Sequence, residues 1–291
     1  MTNKSKIQWT DITKNPIHLI KSDGSNGGHW CHKISEGCAN CYAESQNNNS
    51  FFKFASHLKY TGNPPENLIL DESILQEIIS IKSPKKIFIC SMTDLFGDWI
   101  PEYWIDQIFA TMLIAKHHTF QILTKRPQRM KEYLSKPYHL NIARYIDQHF
   151  GDKFAHENYE LPAKNIWLGV TCENRKAVAQ RLPLLLETPA KVRFLSCEPL
   201  LEGIYLALDE FDHKPNWVIV GGESGTNARF CNIDWISSIV GQCELSKIPV
   251  FVKQLGSYPI GINGYKLKLK SRKGGDISEF PDDLKIRKFP C

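Results

Sequence analysis

The chain has 291 residues, 42% of them hydrophobic and 23% charged, which is the composition of a globular protein with a sizeable core. Its 36 Lys and Arg against 31 Asp and Glu give a net charge of +5, and five positive charges (Lys266, Lys268, Lys270, Arg272 and Lys273) fall in one acid-free octet. Outside that octet the balance is zero, which excludes a chain-wide polyanion-binding composition but not a local basic hairpin.

The N-terminal stretch Met1–Asp11 is polar and has no apolar h-region. The longest largely apolar run, Ile108–Ala115, falls far short of the ~18 residues of a membrane span. Nine cysteines, an odd number scattered along the chain, do not read as a secreted disulfide framework. A reduced, cytoplasmic, soluble protein without membrane attachment is expected.

One strand is expected near the N-terminus. The segment from His29 to Tyr42 then places Cys31, Cys38 and Cys41 within eleven residues, with Gly37 supplying a bend. Three thiolates so close can converge on one soft metal centre. A structural zinc site would take its fourth ligand from His29 or His32. An iron–sulfur cluster held by three cysteines would leave one iron open to a small molecule.

Downstream, Asp71–Ile81 carries helical spacing, and the apolar run Lys86–Cys90 ends in Ser91-Met92-Thr93-Asp94. Pro101 suits the first turn of a helix over Tyr103–Lys116. Further runs follow: Thr119–Leu123 before Thr124-Lys125-Arg126, and Asn165–Val170 before Thr171-Cys172-Glu173. Val192–Leu195 precedes Ser196-Cys197-Glu198-Pro199, Trp217–Val220 precedes Gly221-Gly222-Glu223-Ser224, and Pro249–Val252 precedes Lys253-Gln254. Arg175–Leu186 and Ile233–Cys243 read as helices between them. Short apolar runs alternating with helices predict a parallel sheet of βα units, an open or partial (β/α) barrel. Residues 1–255 are read as that barrel, with a helical insertion over 132–163, and residues 256–291 as a C-terminal β-hairpin and tail.

Each predicted strand ends in a residue that is costly to bury: Asp94, Lys125, Glu173, Glu198, Glu223 or Lys253. Loops gather at that rim in βα barrels, so the set predicts a polar floor of mixed charge beneath one ligand. No Gly-x-Ser-x-Gly elbow and no phosphate loop is present.

The stretch from Cys31 to Glu44, with Leu123-Thr124-Lys125-Arg126-Pro127, Ser196-Cys197-Glu198-Pro199 and Gly221-Gly222-Glu223-Ser224, resembles the phage- and plasmid-associated three-cysteine-motif family of uncharacterised proteins. That family in turn resembles a divergent branch of the radical S-adenosylmethionine enzymes, near the spore photoproduct lyase type. The resemblance implies a partial (β/α) barrel of radical SAM type with a [4Fe–4S] cluster on Cys31, Cys38 and Cys41. S-adenosylmethionine would bind the open iron, be cleaved reductively with an external electron donor, and yield a radical that abstracts hydrogen from substrate. It further implies cofactor-binding roles for Ser91, Thr93 and Asp94 toward the amino group and for Lys125 and Arg126 toward a carboxylate or substrate phosphate. Glu173, Glu198 and Glu223 would serve ribose hydroxyls or substrate. Cys172 and Cys197 are the candidate catalytic hydrogen donors, although a packed thiol is the commoner role of a buried cysteine. Six residues separate Cys31 from Cys38 where the superfamily has three, and Asn40 stands where an aromatic is common. Resemblance to a DNA-repair lyase, the basic octet, and Lys125-Arg126 with Arg129 and Lys131 together suggest a nucleic acid or nucleotide substrate. The alternative is a zinc-stabilised nucleic-acid-binding protein without catalysis.

Overall fold

The computed structural model describes residues 5–52, 54–136, 140–151, 161–261 and 263–290. Seven strands form one parallel sheet: β1 (Ile12–Lys14), β4 (Lys86–Ile89), β5 (Thr119–Thr124), β6 (Ile166–Thr171), β7 (Val192–Cys197), β8 (Trp217–Gly221) and β10 (Val250–Gln254), in that order. Register runs Ile87 against Phe120 and Leu195 against Val218. The order is compatible with a partial (β/α) barrel. Between the sheet strands the chain forms α2 (Glu72–Ser80), α3 (Glu102–Ile114), α6 (Arg175–Glu187) and α7 (Ile233–Leu245). All six apolar runs read as strands are strands to within two residues at either end. The four helical periodicities likewise give α2, α3, α6 and α7.

The chain divides into two compact units. The first comprises residues 1–34, 41–168 and 188–191, and the second comprises 35–40, 169–187 and 192–291. In the first unit, α3 carries buried residues all round (Ile105, Ile108, Phe109, Met112), as a helix covered on both sides must. Each such fully buried side chain contributes about 1.5–3 kcal/mol. Pro101 lies one position before the first turn of α3. Asp71 caps α2, its carboxylate accepting from the Ser73 N–H at 2.9 Å. Helix α4 (Pro127–Leu134) opens on a proline at its first position, which needs no N–H there, and packs Met130 and Tyr133 inward. The Tyr133 hydroxyl donates to Asp106 on α3 at 2.7 Å. Helix α5 (Leu140–Phe150) packs on α3 through Ile142, Tyr145 and Ile146 and lies within the stretch read as an insertion. Residues 137–139 and 152–160 of that stretch are outside the described residues. Two further elements, the antiparallel pair β2 (Ile17–Leu19) and β3 (Leu68–Leu70), precede the sheet core.

In the second unit, β7, β8 and β10 are almost wholly buried, and α7 packs on β8 and β10. Asn232 caps α7 through the Asp234 N–H at 3.0 Å. The short strand β9 (Cys231–Asn232) pairs in parallel with β11 (Pro259–Ile260). From β11 the chain turns back, Ile260 bridging Lys266 antiparallel, and later returns to bridge Arg287 to Phe251. Gly222 follows β8 where a side chain has no room, because a Cβ there would stand 2.4 Å from the Leu255 carbonyl oxygen. Among the described residues no helix is long and apolar enough to cross a membrane.

Candidate active site

In the first unit, Cys31 and Cys41 pack against one cluster made by Trp30, Ala43, Tyr60 and Met92 with Phe54 and Trp99. Several bonds anchor the backbone around Cys31. Thr93 donates through its hydroxyl to the Trp30 carbonyl at 2.6 Å, and Arg126 donates to the His32 carbonyl at 3.1 Å. The Asn47 amide clamps His29 on both sides, accepting from its N–H at 2.8 Å and donating to its carbonyl at 2.5 Å. Cys41 is the N-cap residue of α1 (Tyr42–Asn47), whose Tyr42 hydroxyl donates to the Ser91 carbonyl. Burial pushes the Cys31 thiol up to about 12, with Asp94 adding to the rise and Arg126 opposing it. Without a metal it is therefore a thiol, and metal binding there must displace a proton.

Strand β4 ends beside this cluster. Cys90 adopts a left-handed φ of 58°, uncommon for a residue with a side chain, and turns the chain sharply into Ser91–Asp94. Asp94 is a hub. One oxygen accepts from the Thr124 hydroxyl at 2.6 Å and the Phe96 N–H at 3.1 Å, the other from the Lys125 N–H at 2.9 Å and Arg126 at 3.0 Å. These fill the roughly four acceptor positions of a carboxylate. Asp94 thus ties the end of β4 to the end of β5 and holds Arg126, whose guanidinium also lies 4.5 Å from the centre of the Trp99 ring. Ser91 donates to Asn15 at 3.1 Å.

The second unit holds Cys38 in a 3₁₀ turn, Glu36–Cys38, closed by the Cys38 N–H on the Ser35 carbonyl at 2.9 Å. Glu223, just past β8, fixes this segment. Arg229 grips its carboxylate through two nitrogens at 2.6 and 3.0 Å and reaches the Glu36 carbonyl at 3.0 Å. Asn40 donates to Glu223 at 2.9 Å. Burial raises the Glu223 carboxyl, but the bonds from Arg229 and Asn40 outweigh it, and the net shift is downward. A depressed carboxyl lends stability above its unfolded value and loses it as pH falls through the folded one. The clamp therefore holds at neutral pH and releases only in acid, below the ordinary glutamate value of 4.5. Arg229→Met is expected to cost about 1.5–3 kcal/mol at this contact. Hydrogen exchange checks it: the Cys38 and Ala39 amides should lose protection, while those of β8 should keep theirs.

Each of the other rim carboxylates in this unit also has a cation. Glu173 is fully buried, pairs with Arg181 of α6 at 2.8 Å and lies against Gly37, where a Cβ would be 3.0 Å from its carboxyl carbon. Glu198 accepts from Lys253 at 2.5 Å. Lys253 lies at a strand end that the sequence marks, whereas Arg181 and Arg229 come from a helix and a loop and carry no such mark. Cys172 and Cys197 are fully buried, and burial together with Cys172, Cys243 and Glu173 drives the Cys197 thiol well above its ordinary range. They are packed S–H groups. His29 is equally a core residue: its ring meets the Ile17 carbonyl at 3.0 Å, and burial lowers it to about 4, leaving it neutral.

Of the eight described cysteines, Cys31, Cys38 and Cys41 are the partly exposed ones and the other five are buried. Among the described residues no three His, Cys, Asp or Glu side chains are grouped so as to hold a metal ion. The donor chemistry of these three partly exposed cysteines fits a soft metal centre, and two of the three pack on one cluster. A family model described as a protein of unknown function (DUF5131) matches residues 4–278. No curated protein and no solved structure matches the chain.

Proposed function

This chain belongs to the DUF5131 family, and we propose that it is a radical S-adenosylmethionine enzyme whose [4Fe–4S] cluster is held by Cys31, Cys38 and Cys41. The observation that carries the proposal is the shared seat of Cys31 and Cys41: two partly exposed thiols, ten positions apart, on one aromatic-walled cluster beside the Asp94–Arg126 pair. A cluster bound there would supply the electron that splits S-adenosylmethionine and so generates the hydrogen-abstracting 5′-deoxyadenosyl radical.

The rest falls to the chain's own groups. Arg126 sets a fixed positive charge near Cys31, which favours the thiolate that a metal requires. Trp30, Tyr60 and Trp99 pack around Cys31 and Cys41 and shield them in part from water. Glu223 and Arg229 hold the segment that carries Cys38. Asp94, with its oxygens occupied, acts by fixing Arg126 and the Lys125 backbone rather than by holding a ligand amine directly.

Anaerobic purification with metal analysis and visible spectroscopy tests the reading. About four iron and four sulfide per chain, with brown colour bleached by dithionite, is the expected result. Reductant and S-adenosylmethionine should then yield 5′-deoxyadenosine. Zinc alone in strictly anoxic protein would overturn the proposal in favour of a zinc-stabilised, non-catalytic protein.

A further inference from the structure

The acid-free octet near the C-terminus takes no part in the site described above. Its five cations, Lys266, Lys268, Lys270, Arg272 and Lys273, are all exposed, and the residues between them, Leu267, Leu269 and Ser271, are half-buried. Exposure alternating with period two puts the lysines at 266, 268 and 270 on one side, about 7 Å apart if the backbone is extended. Aromatic surface adjoins them. Tyr265 is 74% exposed, and Lys266 sits 4.7 Å from the centre of the half-exposed Tyr258 ring.

This is a fixed platform, not a loose tail. The Leu267 N–H donates to the Pro259 carbonyl at 2.9 Å, and the Arg272 carbonyl accepts from the Ser257 hydroxyl at 2.7 Å. Glu279 accepts from the Lys270 and Ser271 N–H groups at 2.5 and 2.9 Å. Asp276 caps Ser278, its carboxylate accepting from that N–H at 3.0 Å. The two acids that follow in sequence, Asp276 and Glu279, thus hold backbone, Asp276 also lying within electrostatic reach of Lys270, while the five cationic residues stay exposed. Gly274 closes the segment at φ 60°, its carbonyl accepting from the Leu255 N–H at 2.7 Å.

We propose that this row is a binding surface for single-stranded nucleic acid, phosphates following the cations and bases stacking on Tyr265. A fixed line of cations beside an exposed ring is what sequence-tolerant single-strand binding needs. A bilayer would want apolar side chains turned outward, whereas Leu267 and Leu269 turn toward the protein. The inference stands apart from the radical chemistry and needs no cluster.

Fluorescence anisotropy of the full-length chain with a labelled single-stranded oligonucleotide, over a salt series, tests it. Changing Lys266, Lys268 and Lys270 together to Gln should flatten the log–log salt slope by about 2, at about 0.7 per cation lost. Tyr265→Ala should weaken binding at least about fivefold with the slope unchanged. Lys268→Glu serves as a second, single-site variant, and melting curves report folding of each. An unaltered slope in the triple variant would overturn the proposal. So would equal affinity for duplex with Tyr265→Ala neutral, or binding confined to phosphatidylserine vesicles. Iron content read on the same preparations keeps the result separate from the fate of the cluster.

Discussion

If Cys31, Cys38 and Cys41 hold the cluster proposed above, Cys38→Ala is expected to leave the chain without bound iron and to stop 5′-deoxyadenosine formation altogether. Groups that merely support a metal ligand are worth 10- to 100-fold in affinity or activity. Loss of one of only three thiolates should exceed that, a fall of more than about a hundredfold in bound iron. The matched control is Cys243→Ala, which removes a buried thiol from α7. It should keep both iron and product. The fold should survive Cys38→Ala, since Cys38 is partly exposed and no described disulfide uses it. Intact turnover in Cys38→Ala, or equal iron loss in Cys243→Ala, would show that the cluster assignment is mistaken.

Much of the sheet is legible in the residues because a parallel strand buried on both faces must be apolar along its length and must end where the chain meets water. Trp217–Gly221 and Val250–Gln254 show both properties, largely buried in the structure, the first followed by Gly222-Glu223 and the second carrying Lys253 near its end. Helix α1 leaves no such trace: six residues with Gln and Asn among them carry too little periodicity. Helix α4 had a usable signal, Pro127 at its first position, hidden behind the charged Lys125-Arg126 run.

The site was half legible for a different reason. A carboxylate at a strand end is visible from the strand, and Asp94, Glu173, Glu198 and Glu223 stood out for that reason. Its partner is placed by a helix or loop that returns to the strand, as Arg181 and Arg229 are, and no repeat links the two. Read alone, each acid looks available to a ligand. With its cation in place it becomes a joint between elements, and Asp94, thirty residues from Thr124, shows how far such a joint reaches.

Arg181→Met should be the most destabilising single change in the second unit. Glu173 is wholly shielded from solvent and Arg181 nearly so. The same guanidinium nitrogen also donates to the Thr171 carbonyl at 2.7 Å, at the very end of β6. Removing one member of a buried pair leaves a charge without compensation and costs about 3–5 kcal/mol, a large part of the roughly 5–15 kcal/mol that holds a typical domain together. Urea unfolding followed by tryptophan fluorescence should show the midpoint fall accordingly. The double variant Arg181→Met with Glu173→Met should regain most of the loss, because two apolar side chains in place of a buried pair are often no worse than the pair. That double variant also separates two roles for Glu173. If the carboxylate only joins α6 to the end of β6 and braces Gly37, restored stability should bring restored 5′-deoxyadenosine formation. If it also binds ribose or substrate, stability should return while activity stays low.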